Sequence, residues 1–257
     1  MKEQMVVEED FLTLLKNKLS SIEKGCERMD LLFSNKGQTL LSIEEEVCQR
    51  GMLLPSNKRR ELLHTSKKRM KGADGKWMEW FILGRQGDNI SHPDLECAEI
   101  KCVEMKRSRS KLVLKERGVR LVNINFNTIQ VKSFEEFLQG KIAKLLIVQT
   151  TPAEYGKDKR LLDVGYIDCR PFLSFIAKEY EIIAEKCRNG EANLFNSSVK
   201  TAKKWDLSYL FTYSQGDGEN IHIYKDKLGQ EHKVKGRALR LQPNKFTELY
   251  TSLTWDF

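Results

Sequence analysis

The spacing of apolar residues changes along the chain, from a helical period near the start to short strand-like runs later. In the first 65 residues the pattern predicts two helices, one over residues 8–24 that stops at Gly25 and one from Ser42 to Gly51. Ser42 and Glu45 have the spacing of a capping box. A third helix is predicted over residues 74–84, with Asp74 as its cap.

The part of the chain after residue 97 is richer in predicted strands. They lie at residues 97–103, 112–114, 119–126, 145–149, 161–167, 207–213, 221–224 and 237–241. Further helices are predicted from Ser133, over residues 171–190 and over residues 244–253. Helices, then mixed elements, then strands indicate an α/β or α+β chain with one main core.

The composition of the chain excludes several classes of protein. The 257 residues are 40% hydrophobic and carry a net charge of +8, which suits a folded chain with a polyanionic partner. No apolar run approaches the ~18 residues of a membrane span. The first ten residues lack a signal-like apolar region, and the six cysteines form no CxxC pair, so we expect a reduced cytoplasmic protein without membrane contact. Walker A, GxGxxG and GxSxG motifs are absent.

The chemically informative segment runs from Pro93 to Lys101, PDLECAEIK. Because alternate side chains of a strand share a face, Glu99 and Lys101 are expected to project together, with Ala98, Ile100 and Cys102 towards the core. Asp94 precedes the strand and can fold towards the same point. Two carboxylates beside an ammonium fit phosphodiester hydrolysis.

In that chemistry Asp94 and Glu99, with the Ile100 carbonyl, are candidate ligands of Mg²⁺. The metal would polarise the phosphate and acidify a water, and Lys101 would orient that water or stabilise developing charge. Asp88 is an alternative to Asp94 as ligand. An exposed edge strand with a Glu–Lys pair is the plain structural alternative.

Neighbouring residues extend the pattern to K-G-x-x-G-x-x-x-E at 71–79 and P-D-x-x-x-x-E-x-K at 93–101. In this form the chain resembles the MutH family, which holds the mismatch-repair nicking endonuclease MutH and the Sau-type restriction endonucleases cutting at GATC. The resemblance covers residues 71–150 and, more loosely, 232–253. The gap between Asp94 and Glu99 is two residues shorter than in MutH and is similar to that of the Sau-type enzymes.

The resemblance implies a restriction-endonuclease-like PD-(D/E)xK nuclease fold. This is an α/β fold with a mixed central β-sheet flanked by helices and two lobes around a DNA cleft. The chain would be one nuclease domain, with a catalytic lobe at residues 1–150 and a DNA-recognition lobe at 151–257. Besides Asp94, Glu99 and Lys101, the family motif matches Glu79, which would support the metal site, and Lys71 and Lys141.

Two basic segments are candidate DNA contacts. One is a predicted loop directly after the catalytic strand, and the other lies near the C-terminus, where Arg237 or Arg240 would read a guanine. The candidate residues are Lys106, Arg107, Arg109, Lys111, Lys233, Lys235, Arg237 and Arg240. A basic stretch over residues 58–71 is either a solvated helix face or a further DNA-facing strip.

These observations predict a Mg²⁺-dependent endonuclease of double-stranded DNA, a type II restriction enzyme with GATC as the leading site. It would act as a monomer or homodimer, with a cognate DNA methyltransferase in the same system. The alternatives are a nicking endonuclease of methyl-directed mismatch repair, activated by a partner, and a non-catalytic DNA-binding protein of the same fold.

Overall fold

The computed structural model describes residues 2–52, 73–84, 93–152, 158–192, 205–214 and 221–255. Its contacts divide the chain into two compact units. One comprises Met1–Lys115, Lys144–Ile167 and Thr251–Phe257, and the other comprises Glu116–Ala143 and Asp168–Tyr250. The units interleave along the chain, and the single nuclease domain with a lobe boundary at residue 150 stays a prediction.

Four helices supply most of the first unit's core: α1 (Lys2–Ser20), α2 (Gly25–Ser34), α3 (Leu40–Gln49) and α4 (Ala73–Leu83). The prediction that Gly25 ends the first helix is wrong, because α1 already ends at Ser20 and Gly25 begins α2. A Cβ on Gly25 would lie 2.4 Å from the Leu19 carbonyl oxygen, so only glycine permits this tight return. Likewise Thr39, whose side chain accepts from the Ser42 amide, caps α3 in place of Ser42.

A five-stranded mixed sheet is the framework of this unit. Its order is β10 (Tyr250–Ser252), β5 (Leu161–Asp168), β4 (Lys144–Thr150), β1 (Glu99–Ser108) and β2 (Lys111–Leu114). β1 runs parallel to the fully buried β4 and antiparallel to β2. The helices α1 to α4 pack with Ala98, Ile100, Leu146 and Val148 in one hydrophobic core, so the chain is a mixed α/β protein with a helix-covered sheet.

β1 is longer than its sequence predicts. Lys106, Arg107 and Ser108 continue the strand, and Lys111 begins β2, so the predicted loop is a β-hairpin. Arg109 takes the left-handed conformation, with φ 55°, and this closes a tight turn between the strands. The register of β1 is continuous with β4 from Glu99 to Glu104 and with β2 from Met105 to Ser108, so its side-chain alternation is unbroken.

The second unit contains two small antiparallel sheets. One has the order β3 (Val119–Asn123), β9 (Arg237–Leu241) and β6 (Leu210–Ser214), and the other pairs β7 (Ile221–Lys225) with β8 (Glu231–Lys235). The predicted strand over residues 119–126 ends at Asn123, because Asn125 caps a short helix, α5 (Phe126–Ile129). Pairing with β7 makes β8 a strand although its sequence, EHKVK, has one apolar residue.

Helices complete this unit. A π-helical turn (Glu135–Gln139) runs into α6 (Gly140–Ile142), and the predicted capping box is present, since the Ser133 amide donates to Glu136 and the Glu136 amide to Ser133. A 3₁₀ turn (Arg170–Phe172) precedes α7 (Leu173–Arg188). The last helix, α8 (Pro243–Leu249), is shorter than predicted, because the chain then joins the edge of the five-stranded sheet as β10.

None of the helices that the structure describes is both long and apolar enough to cross a bilayer.

Candidate active site

A tight turn just before β1 places Asp94. The Glu96 amide donates to the Pro93 carbonyl at 3.1 Å, and the Leu95 amide donates to the Ala98 carbonyl at 3.0 Å. Glu96 has a left-handed backbone, with φ 57°. The turn folds the Asp94 side chain back onto the strand, where Oδ2 accepts a hydrogen bond of 2.9 Å from the Ile100 amide. Asp94 therefore lies at the first residues of β1, where the sequence predicts it.

The alternation of β1 separates the site from the core. Ala98 and Ile100 are buried in the helix-covered core, and Cys102 packs partly against it. Glu99 and Lys101 occupy the opposite face, and the Lys101 ammonium donates to Glu99 Oε1 at 2.7 Å. The Glu99 side chain is 7% exposed and that of Lys101 is 20% exposed. The structure thus brings Asp94, Glu99 and Lys101 together at one end of one strand.

The neighbouring strand gives this pair an apolar surrounding. In the parallel register Leu145 lies beside Glu99 and Ile147 beside Lys101, and both neighbours are buried. Parallel partners in register project to the same face, so the ion pair is flanked by aliphatic side chains. Removal of water strengthens the attraction between the two charges, and it also makes any unmatched carboxylate oxygen costly.

One such oxygen is present. Glu99 Oε2 is buried and has no hydrogen-bond partner among the described residues. Because the Ile100 amide faces Asp94, the Ile100 carbonyl points to the same edge of the strand. A hard divalent cation such as Mg²⁺ prefers this kind of all-oxygen donor set, which here consists of two carboxylates and one peptide carbonyl. Three His, Cys, Asp or Glu side chains do not converge into a metal cluster within the described ranges.

Glu79, on α4, belongs to the same electrostatic environment. Burial, the largest cause, and the negative charges of Asp94 and Glu99 together raise the pKa of its carboxyl to about 7, while the positive charges of Lys101 and Lys76 oppose the shift. α4 packs against β1, and the Glu79 carboxyl is close enough to Asp94, Lys101 and Glu99 for their charges to act on it. At neutral pH Glu79 is therefore poised between its protonated and ionised forms.

The structure does not test the roles of the two other predicted catalytic lysines. Lys141 lies on α6 in the second unit and is partly exposed. Lys71 lies outside the described residues, as do the alternative ligand Asp88 and the basic stretch over residues 58–71. The roles of Lys141 and Lys71 stay predictions.

The predicted DNA contacts divide by exposure. Lys106, Arg107, Arg109 and Lys111 are exposed on the hairpin of β1 and β2, and Lys233 and Lys235 are exposed on β8. Arg237 and Arg240 are 3% and 7% exposed.

The two arginines proposed to read a guanine are buried, and their base-reading role stays a prediction. Arg240 Nη1 donates to Glu116 Oε2 at 2.6 Å and to the Gly118 carbonyl at 3.1 Å, and its guanidinium lies over the Tyr213 ring. Burial lowers the pKa of Arg237. Strand β9 is the central strand of its sheet, and all five of its residues are buried.

Sequence reasoning missed an ion cluster on the other face of β1. Glu104 accepts from Lys115 Nζ at 2.5 Å and from the buried Lys159, which is 3% exposed. The alternation of β1 was the available signal, because it sets Glu104 on the face opposite Glu99. Lys159 is 55 residues from Glu104 in the chain, so no local sequence pattern predicts that the two side chains form an ion pair.

No protein-family model matches this chain, and no curated protein does. Among solved structures, a complex of the restriction endonuclease MvaI with its cognate DNA is similar at a TM-score of 0.33 and 11% sequence identity. The similarity covers 74% of this chain and 90% of that chain. A superposition this loose carries no argument about fold family or activity.

Proposed function

We propose that this chain is a Mg²⁺-dependent endonuclease that hydrolyses phosphodiester bonds of double-stranded DNA, with a restriction-endonuclease-like PD-(D/E)xK fold. The observation that carries the proposal is the convergence of Asp94, Glu99 and Lys101 at the start of β1, with Glu99 Oε2 buried and without a hydrogen-bond partner among the described residues. A purely structural Glu–Lys pair on an exposed edge would leave both carboxylate oxygens to water.

Each group has a role that follows from its position. Asp94, Glu99 and the Ile100 carbonyl would hold the cation, since they offer hard oxygen donors at the start of β1. Bound Mg²⁺ would polarise the scissile phosphate and lower the pKa of the attacking water. Lys101, held by Glu99 at 2.7 Å, would orient that water through its ammonium and stabilise the negative charge that develops on the phosphate oxygens.

Glu79 supports the same site from α4. Its carboxyl has a pKa near 7, so it can accept a proton close to neutral pH. Cation binding next to it would favour the ionised form, because a positive charge offsets both burial and the repulsion from Asp94 and Glu99. Glu79 is therefore a supporting carboxylate of the metal site in this proposal.

The charge of the chain favours DNA as substrate. The net charge is +8, and the hairpin that continues β1 exposes four cations directly beyond the site. Phosphates attract such a surface through a salt-dependent, sequence-independent interaction.

Within this proposal the enzyme is a type II restriction endonuclease, with GATC as the first site to test. The MutH and Sau-type resemblance supports that choice, and the short spacing between Asp94 and Glu99 favours the Sau-type enzymes. A cognate methyltransferase would protect the host DNA, and a palindromic site would be cut by a homodimer or by a monomer acting twice.

The proposal is tested by incubating purified protein with supercoiled plasmid, GATC-methylated and unmethylated, in Mg²⁺ and in EDTA. Discrete linear fragments that require Mg²⁺ are expected, and their ends give the site. Accumulation of nicked circles would favour the mismatch-repair nicking enzyme. Intact plasmid in every lane, combined with tight duplex binding, would contradict catalysis and leave the DNA-binding alternative.

A further inference from the structure

The hairpin formed by β1 and β2 presents its cations on two different faces. In the unbroken alternation of β1, Arg107 shares the face of Glu99 and Lys101, whereas Lys106 lies on the opposite face. The cross-strand register places Leu112 opposite Arg107. Leu112 is 55% exposed, so Arg107 stands beside an accessible apolar side chain.

Between Lys101 and Arg107, this face of β1 is buried. Val103 and Met105 lie on the same face and are 8% and 5% exposed. A ligand can therefore reach this face of β1 at two separate points, at Glu99 and Lys101 and at Arg107. The Arg107 side chain forms no hydrogen bond or ion pair with any residue that the structure describes. Its guanidinium can therefore engage a partner without first breaking an internal contact.

We propose that Arg107 is a DNA-positioning residue, which holds a backbone phosphate on the flank of the scissile phosphate while Leu112 packs against the adjoining sugar. The inference rests on the proposed nuclease function. It selects Arg107 from the hairpin's cations, because only a side chain on the face of Glu99 and Lys101 can share one duplex with them. A guanidinium suits this contact, since it can bind two phosphate oxygens at once.

The strand also sets a distance. From Glu99 to Arg107 a strand advances by about 26 Å at roughly 3.3 Å per residue. Duplex DNA rises by about 3.4 Å per base pair, so the two contacts are separated by up to about eight base pairs. The hairpin would therefore require duplex on one side of the cut, well beyond a short recognition sequence.

Binding is measured first, by fluorescence anisotropy of a 40-base-pair duplex in EDTA at several salt concentrations. Arg107→Ala should weaken binding about fivefold and reduce the slope of log K against log salt by about 0.9, as for one lost phosphate contact. Lys106→Ala should lose less DNA-binding affinity than Arg107→Ala. Lys178→Ala, an exposed lysine on α7 of the second unit, is the charge-matched control and should leave the slope unchanged. An equal or larger loss in Lys106→Ala overturns the inference, as does an absence of binding by the unaltered protein.

Cleavage then tests the distance. On long duplexes in Mg²⁺, Arg107→Ala should raise the DNA concentration needed for half-maximal cleavage while leaving the rate at saturation unchanged. The defect should disappear when the flank contacted by Arg107 is trimmed to about three base pairs. A defect that persists on trimmed duplexes overturns the positioning role. If the unaltered protein binds but never cuts, the nuclease proposal fails, and the binding series still decides whether Arg107 contacts DNA.

Discussion

The Lys101 ammonium lies 2.7 Å from Oε1 of Glu99, while Oε2 of the same carboxylate is buried and accepts no hydrogen bond from the described residues. Only one of the two carboxylate oxygens of Glu99 thus has a hydrogen-bond partner among the described residues. An ionised oxygen without a partner in an apolar surrounding costs on the order of 1–3 kcal/mol or more, and native proteins keep such groups where a ligand or catalysis uses them.

Cation binding at this oxygen should stabilise the protein. With Mg²⁺ at about ten times its dissociation constant, mass action adds about 1.4 kcal/mol, which corresponds to an increase of roughly 3–5 °C in Tm. Calorimetry in Mg²⁺ and in EDTA measures this, and Glu99→Gln should abolish the shift. Glu96→Gln, which changes an exposed carboxylate three residues earlier, should retain it. An unchanged shift in Glu99→Gln would exclude Glu99 as a ligand.

Asp94 combines a structural contact with a predicted ligand role, and two substitutions separate them. Asn keeps an oxygen that can accept from the Ile100 amide, so Asp94→Asn should fold with stability within ~0.5 kcal/mol of the unaltered protein. Asp94→Ala should lose about 1 kcal/mol more. Both should lower Mg²⁺-dependent cleavage at least ~100-fold, since neither supplies a carboxylate. Urea unfolding and plasmid cleavage measure the two effects, and full cleavage by Asp94→Asn would remove Asp94 from the metal site.

Glu79 should make the stability of the metal-free protein depend on pH. Its pKa rises from about 4.5 to about 7 on folding, so the folded state binds the proton more tightly than the unfolded state. Stability should therefore fall as the pH rises from about 4.5 through 7. Because solvent screens this partly exposed side chain, we expect a loss of about 1–2 kcal/mol.

Chemical denaturation in EDTA at pH 4.5 and pH 8 measures the effect. Glu79→Gln should be more stable than the unaltered protein at pH 8 and equal to it at pH 4.5. Glu45→Gln, at an exposed position of α3, is the matched control and should show no such difference. If Glu79→Gln is destabilising at pH 8, the carboxylate has a favourable partner and the assigned cause of its shift is wrong.

Glu179 holds the start of β6 to α7. Its buried carboxylate accepts from the amides of Ser208, Tyr209 and Leu210 at 2.6–3.1 Å. Glu179→Ala leaves three amides without their acceptor, one of them buried and two partly buried, and should cost about 3 kcal/mol. Glu181→Ala, on the same helix, removes an exposed carboxylate that pairs with Arg188 and should cost less than ~1 kcal/mol. Thermal unfolding of the two variants checks the difference, and equal losses would contradict the anchoring role.

The arrangement of Asp94, Glu99 and Lys101 at the start of β1 was predictable because its information is local. Asp94, Glu99 and Lys101 lie within eight residues, and the period of two in a strand settles which side chains share a face. The buried run of β4 and the capping box of Ser133 and Glu136 were predictable for the same reason, since each depends on neighbours in sequence.

The structural features that the sequence did not predict depend on residues that are distant in the chain. Tyr250 ends a predicted helix because the edge of the five-stranded sheet offers strand pairing. The sequence around Arg240 suggests an arginine that contacts DNA. In the structure its guanidinium donates a hydrogen bond to Glu116, which lies 124 residues earlier in the chain. Gly25 carries the signal of a helix end but begins a helix, because the chain must pass close to the Leu19 carbonyl.

The central claim is that Glu99 and Lys101 perform hydrolysis at the start of β1. The most direct measurement compares single-turnover cleavage of plasmid by the unaltered protein, Glu99→Gln, Lys101→Ala and Glu96→Gln in Mg²⁺, with duplex binding measured in parallel. We predict that Glu99→Gln and Lys101→Ala lose at least ~100-fold in rate while binding within about threefold of the unaltered protein, and that Glu96→Gln cuts normally. Cleavage at the unaltered rate by either Glu99→Gln or Lys101→Ala would contradict the claim.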